Sequence, residues 1–275
     1  MGGVIFLFFL GGIIVVVRYA QRSPYSGIQL SRKTKLSGYG VFHPAKLQRK
    51  DEAILLKYCP FYQSLTVKQR LKFQARLMKF ISIKHFEPKK RLVLSNEMVI
   101  LIAASAVQLT FGITDYRFLH FERIIIYPEK FFNNQMQRYH LGETNNKGWL
   151  VFSWKHLLKG YQDAHDNIHL GLHEFSHALF LNHVVGKKED WHFSTEFENW
   201  KKTGSRDFFH LKKNDSSYLR PYAKANFMEF FAVCVECFFE TPHLLQKHHP
   251  SIYLSIKKLL KLDPAKTYNK RINRK

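Results

Sequence analysis

Two histidines four residues apart, the first followed at once by a glutamate, lie inside an apolar stretch: His173-Glu174-Phe175-Ser176-His177, with Ile168-His169-Leu170-Gly171-Leu172 before it and Ala178-Leu179-Phe180-Leu181 after it. Residues at i and i+4 share one face of an α-helix, so a helix here turns His173 and His177 toward the same point with Glu174 beside them. The apolar flanks make that helix a core helix, with Asp166 or Asn167 as its expected cap. Two imidazoles one turn apart with a carboxylate next to them suit a single divalent cation. The pattern points to one Zn²⁺ per chain, with His173 and His177 as ligands and Glu174 as a general base. Any fold for this chain must therefore bury a histidine-bearing helix and bring a further ligand to it.

The length of 275 residues suffices for one substantial domain, and 25 phenylalanines argue for a folded core rather than a disordered chain. Val4 to Val17 is an uncharged apolar run followed by Arg18 and Arg22. It lacks a basic segment before it and an Ala-x-Ala-like site after it, so it reads as an uncleaved N-terminal transmembrane helix within residues 1–22. Arg18, Arg22, Arg32, Lys33 and Lys35 all follow the run, which puts the main domain on the cytoplasmic side of a single-pass anchor. Residues 23–50 read as a basic linker, and 51–275 as the domain proper, with a helical N-terminal part and a basic C-terminal tail.

Lys and Arg number 43 against 21 Asp and Glu, a formal charge of +22. The excess is dispersed and no nucleic-acid-binding motif accompanies it, so nucleic acid is not an expected partner. Beside an anchor, anionic lipid headgroups are. Three cysteines, Cys59, Cys234 and Cys237, cannot all pair within the chain. Cys234 and Cys237 sit in the apolar run Phe230–Phe239, where they read as small core residues rather than as a zinc or redox pair.

Helical pattern begins at Asp51 and continues through Val67–Phe80. Ser95 or Asn96 can cap an apolar helix from Glu97 through Leu109, closed by Gly112. Arg123–Pro128 and Gly148–Trp154 read as strands separated by a polar loop, the second being a candidate edge strand for holding extended substrate. Lys187–Ser217 has no clear period and reads as a loop-rich insertion. The expected fold class is α+β, mostly helical with a small mixed sheet.

A catalytic zinc commonly has three protein ligands and a water. His183, ten residues after His173, has the spacing of a known three-histidine pattern, but that pattern turns the chain with Gly where this one has Phe180. A continued helix carries His183 about 9 Å up the axis from His177. The alternative is Glu229, a carboxylate inside Met228–Val233 that is too apolar to want an unpaired charge. Glu236, seven residues later on the same face, can orient a ligand histidine. His169 shares the face of His173, yet one straight helix cannot wrap three side chains around an ion, so His169 reads as structural or supporting.

His-Glu-Phe-Ser-His after Asp166-Asn167, followed by Glu229-Phe230-Phe231-Ala232-Val233, Glu236, Phe238-Phe239 and Pro242, resembles the Mlc titration factor A family of zinc peptidases. That family is in turn similar to the catalytic domain of anthrax lethal factor. The likeness extends upstream to Ile102-Ala103-Ala104, Ile126-Tyr127-Pro128 and Val151-Phe152-Ser153-Trp154, and downstream to Asp263-Pro264. It implies a zincin-like, gluzincin-like metallopeptidase domain with His173, His177 and Glu229 on the metal and Glu174 as the base. It also implies that Tyr222, seven residues before Glu229, supports the oxyanion. The expected activity is peptide-bond hydrolysis on a peptide or protein substrate. The alternative that the resemblance carries is a membrane-tethered protein that sequesters a transcriptional regulator. The chain departs from the family between His177 and Tyr222, which is not an Asp- and Gly-rich loop, and in its N-terminal anchor.

Overall fold

The computed structural model describes residues 47–134, 136–185, 191–213 and 218–266, all within the unit His43–Lys275. The described residues begin with three helices: α1 (Arg49–Tyr58), α2 (Pro60–Ser64) and α3 (Val67–Ser82). Thr66 starts α3 with a capping box, its hydroxyl accepting from the Gln69 amide while the Gln69 side chain accepts from the Thr66 amide. Helix α4 (Asn96–Leu109) begins where Ser95 caps it, as its sequence predicts, and every residue from Met98 to Leu109 is buried. It is the central pillar, contacted by α1, α3 and the histidine helix.

Four strands form a mixed sheet: β1 (His85–Pro88), β2 (Arg123–Tyr127), β5 (Gly142–Asn145) and β6 (Trp149–Ser153). Their order is β1-β2-β6-β5, with β1, β2 and β6 parallel and β5 antiparallel to β6. Ile124, Ile126, Leu150 and Phe152 are fully buried, the alternation expected of a sheet whose inner face packs on helices. A second, two-stranded sheet pairs β3 (Phe131–Asn133) with β4 (Arg138–His140).

Two sequence expectations change here. The stretch between Pro128 and Gly148 is not simply a polar loop, because it contains β3, β4 and β5. Strand β6 is not an edge strand, because β2 flanks it on one side and β5 on the other. The outer edge next to the histidine helix belongs to β5.

Helix α5 (Trp154–Gln162) follows β6 and leads to α6 (Leu170–Val185), the histidine helix. Its expected caps are displaced. The Asp166 carboxylate accepts from the Ile168 amide in a tight turn, Asn167 has a left-handed φ of 58°, and His169 serves the helix start instead. The His169 Nδ1 accepts from the Leu172 amide, the third residue of the helix, at 3.3 Å. The segment expected to be loop-rich holds a 23-residue helix, α7 (Trp191–Lys213). Phe193, Phe197, Trp200 and Leu211 recur at helical spacing and are buried, so an apolar stripe lies beneath the charged surface.

A 3₁₀ turn (Pro221–Lys224) precedes α8 (Phe227–Glu240), which Asn226 caps through the Met228 and Glu229 amides. Helices α9 (Pro242–His248) and α10 (Pro250–Leu260) follow. Cys59, Cys234 and Cys237 are buried free thiols, in line with core roles. Residues 1–46, which include the expected anchor, lie outside the described residues. Among those described, no helix is long and apolar enough to cross a membrane.

Candidate metal centre

Helices α6 and α8 pack side by side, with Phe180 meeting Phe231, while Phe175 on α6 packs against Phe80, Phe118 and Phe152. The Phe175 contacts fix the rotation of α6, so His173 and His177 face α8. Gly171 lets α6 approach α4: a Cβ there would stand 2.1 Å from Ser105 Oγ, closer than any real contact.

The face so presented meets Glu229. Its Oε2 lies 2.9 Å from His173 Nε2 and 3.3 Å from His177 Nε2, and the two Nε2 atoms are 3.1 Å apart. Those three residues form the group of metal-ligating side chains found among the described residues. A tetrahedral ion about 2.0 Å from each ligand atom spaces those atoms about 3.3 Å apart. The observed triangle has that size, and its donor set of two imidazole nitrogens and one carboxylate suits a divalent transition metal. The residues present therefore fit a metal ion.

His183 is elsewhere, its ring 4.5 Å from that of Phe197 and 5.5 Å from that of Phe193. It joins an aromatic cluster rather than the ligand group. His169 is buried against Tyr161, ring centroids 4.4 Å apart, and burial lowers its pKa to about 4, so it stays neutral.

Behind the ligands stands Glu236, only 1% exposed. Its Oε1 accepts from the His169 amide at 3.0 Å and its Oε2 from Arg220 Nη2 at 2.5 Å, with His173 Nδ1 3.5 Å from that same Oε2. A carboxylate on the far nitrogen orients an imidazole and makes it a better ligand. Without a metal, burial pulls the His173 pKa down, but the charge of Glu236 and the hydrogen bond to Glu229 outweigh burial and raise it to about 10. Burial pushes Glu229 up, and the bonds from His173 and His177 overcome that push and hold it well below the carboxylate range. The cluster is thus arranged to hold positive charge at its centre.

Glu174 lies beside the triangle, buried, with burial raising its pKa and the charges of His177 and His173 opposing the rise. Its Oε2 accepts from Thr144 Oγ1 on β5 at 2.8 Å. Gly142, also on β5, allows the strand this close, since a Cβ there would fall 2.3 Å from Glu174 Oε1. Tyr222, in the 3₁₀ turn, is half exposed, with its ring centroid 5.9 Å from that of His173. Burial, then the charge of Glu229, raises its pKa, so the phenol keeps its proton at neutral pH.

All five residues expected at the site, His173, Glu174, His177, Tyr222 and Glu229, are brought together. Thr144, Gly142 and Arg220 are additions. The Gly-Glu-Thr-Asn of β5 carries no apolar alternation that would announce it, and Arg220 has only its place two residues before Tyr222.

Comparison with known proteins gives this geometry a context. The chain is 28% identical over 239 residues to the uncharacterized protein slr2042 of Synechocystis sp., covering 78% of this chain and 84% of that protein. It is 23% identical over 248 residues to Mlc titration factor A of Pectobacterium atrosepticum, covering 78% of this chain and 88% of that one. The model of the glucose-regulated metallo-peptidase M90 family matches residues 30–261. With a match over most of its length and a paired-helix ligand group to go with it, the chain belongs to that metallopeptidase family, in which it is related to Mlc titration factor A.

Proposed function

We propose that the protein is a zinc-dependent peptidase of zincin-like fold in which His173, His177 and Glu229 hold the ion and Glu174 is the general base. The observation that carries the reading is the triangle of ligand atoms with Glu174 directly beside it. When bound, Zn²⁺ would supply Lewis acidity to a water and to the scissile carbonyl. Glu174 takes the proton of the attacking water and passes it to the leaving amine, and its burial favours the raised basicity that this task needs. Tyr222 donates its phenolic proton as a hydrogen bond to the developing oxyanion. The outer edge of β5, unpaired among the described residues, offers backbone groups to an extended peptide, and Thr144 on that strand orients Glu174.

The test is Glu174→Gln in the full chain, with metal content and peptide cleavage measured together. We expect stoichiometric zinc in both proteins and a loss of cleavage on the order of a hundredfold or more in the variant. Equal cleavage by the two would overturn the role of Glu174.

The name of the Pectobacterium relative supports a second reading, in which this chain captures a transcriptional regulator as a protein partner. Zinc at one per chain with no turnover of any peptide, in the presence of tight regulator binding, favours that reading. The proposal extends to residues 1–22 as a membrane anchor and 23–50 as a basic linker, with the domain on the cytoplasmic side. Release of the protein from membranes by salt alone would contradict the anchor.

A further inference from the structure

The β3–β4 hairpin lies next to the site and no step above uses it. Only Leu141 separates β4 from β5, so a peptide laid along the outer edge of β5 passes directly to the hairpin. Phe132 and Tyr139 are register partners with ring centroids 5.3 Å apart, yet they are 44% and 61% exposed. Met136 in the turn and Leu141 at its foot are exposed as well. The result is an apolar shelf on the hairpin that leads into β5, which folding alone does not require.

Cations border the shelf. Lys130 Nζ stands 4.9 Å over the Tyr139 ring. Arg138, at the head of β4, donates from Nε to His140 Nε2 at 3.1 Å, and among the described residues it forms no ion pair with a carboxylate. Four residues after Arg138 comes Gly142, the β5 position at which a Cβ would fall 2.3 Å from Glu174 Oε1, so the hairpin runs directly into the strand that packs on the candidate base. A cation with no carboxylate partner among the described residues, beside an apolar shelf and at the head of the strand that leads into β5, complements a peptide that carries the opposite charge.

Resting on the peptidase reading, we propose that Arg138 determines specificity by selecting substrates with an Asp or Glu side chain near the scissile bond. The shelf of Phe132 and Tyr139 receives an apolar neighbour of that acidic residue. The occupant is the substrate peptide itself, because the shelf continues the strand edge along which that peptide would lie.

The experiment uses the zinc-loaded full chain and synthetic peptides on one apolar scaffold, with Asp, Ala or Lys placed in turn at each position flanking the cleaved bond. Cleavage is followed as kcat/KM, and binding by fluorescence anisotropy on Glu174→Gln, alone and combined with Arg138→Ala or Arg138→Glu. At one position or more we expect the parent to favour Asp over Lys by about fivefold or more, the range of a partly exposed ion pair set against a repulsion. Arg138→Ala should abolish the preference and Arg138→Glu invert it, with the Ala peptide and the unfolding temperature unchanged. No charge preference in the parent, or one that neither variant moves, overturns the inference. Preferential binding that depends on Arg138, without cleavage of any peptide by the parent, leaves acidic recognition standing and removes the peptidase reading. Cleavage without charge preference does the reverse.

Discussion

Glu236 shows how much one carboxylate can organise. It is buried, takes hydrogen bonds from the Arg220 guanidinium and the His169 amide, and stands behind the far nitrogen of His173. Glu236→Gln preserves shape but removes the charge that polarises the imidazole, and leaves Arg220 without its anion. We expect metal affinity to fall about 10- to 100-fold, measured by competition with a chelator, with the far-ultraviolet circular dichroism unchanged. An affinity equal to the parent's would show that His173 needs no such support. At this scale the site was legible where chemistry is local to the chain. His173 and His177 share a helix face by spacing, and Glu229 stood out as a charge in an apolar run. Thr144 and Arg220 were not legible, because nothing near them in the sequence asks for a partner. Their roles arise only when β5 meets α6 and when the 3₁₀ turn meets α8.

At the scale of elements, the end of α8 carries a titrating group of its own. Burial, followed by the charges of Glu236 and Asp166, raises the Glu240 pKa from 4.5 to about 9. A carboxyl with a raised folded-state pKa is neutral in the fold and ionised in the unfolded chain at neutral pH. Its stabilising contribution is therefore complete below about pH 4.5 and is lost as pH rises toward 9. Glu240→Gln removes that dependence. Urea denaturation should find the variant gaining on the parent by about 3 kcal/mol between pH 4.5 and pH 7, and a constant difference across that window would contradict the assignment. The elements themselves were legible in proportion to how plainly apolar spacing marks them. Ser95 before an unbroken apolar run identifies α4, and Pro128 stops β2. Helix α7 is hard to read from the sequence because Lys201, Lys202, Arg206 and Lys212 crowd its stripe of Phe193, Phe197, Trp200 and Leu211. Strands β3, β4 and β5 are three or four residues long, too short for a period-two pattern to rise above chance.

For the whole molecule, the mostly helical body with a small mixed sheet follows from the same apolar runs, whereas sheet order does not. Which strand is the edge depends on pairings between segments far apart in the chain, and the hydrophobicity of β6 is that of an interior strand, flanked on both sides. The excess of positive charge, by contrast, says little about architecture and bears on what the surface attracts.

The two helices that carry the candidate ligands are separated in the chain by the whole of α7 and the 3₁₀ turn, so an ion gripped by both would act as a rivet through the fold. Loading it at a thousandfold excess over Kd should stabilise the domain by about 4 kcal/mol, and stripping it should lower the unfolding temperature even in a variant that cannot turn over substrate. Calorimetry of the Glu174→Gln protein with and without chelator measures this directly; coincident melting curves would mean that α6 and α8 hold together unaided. If the rivet is real, metal supply governs how long the protein survives in the cell as well as whether it works.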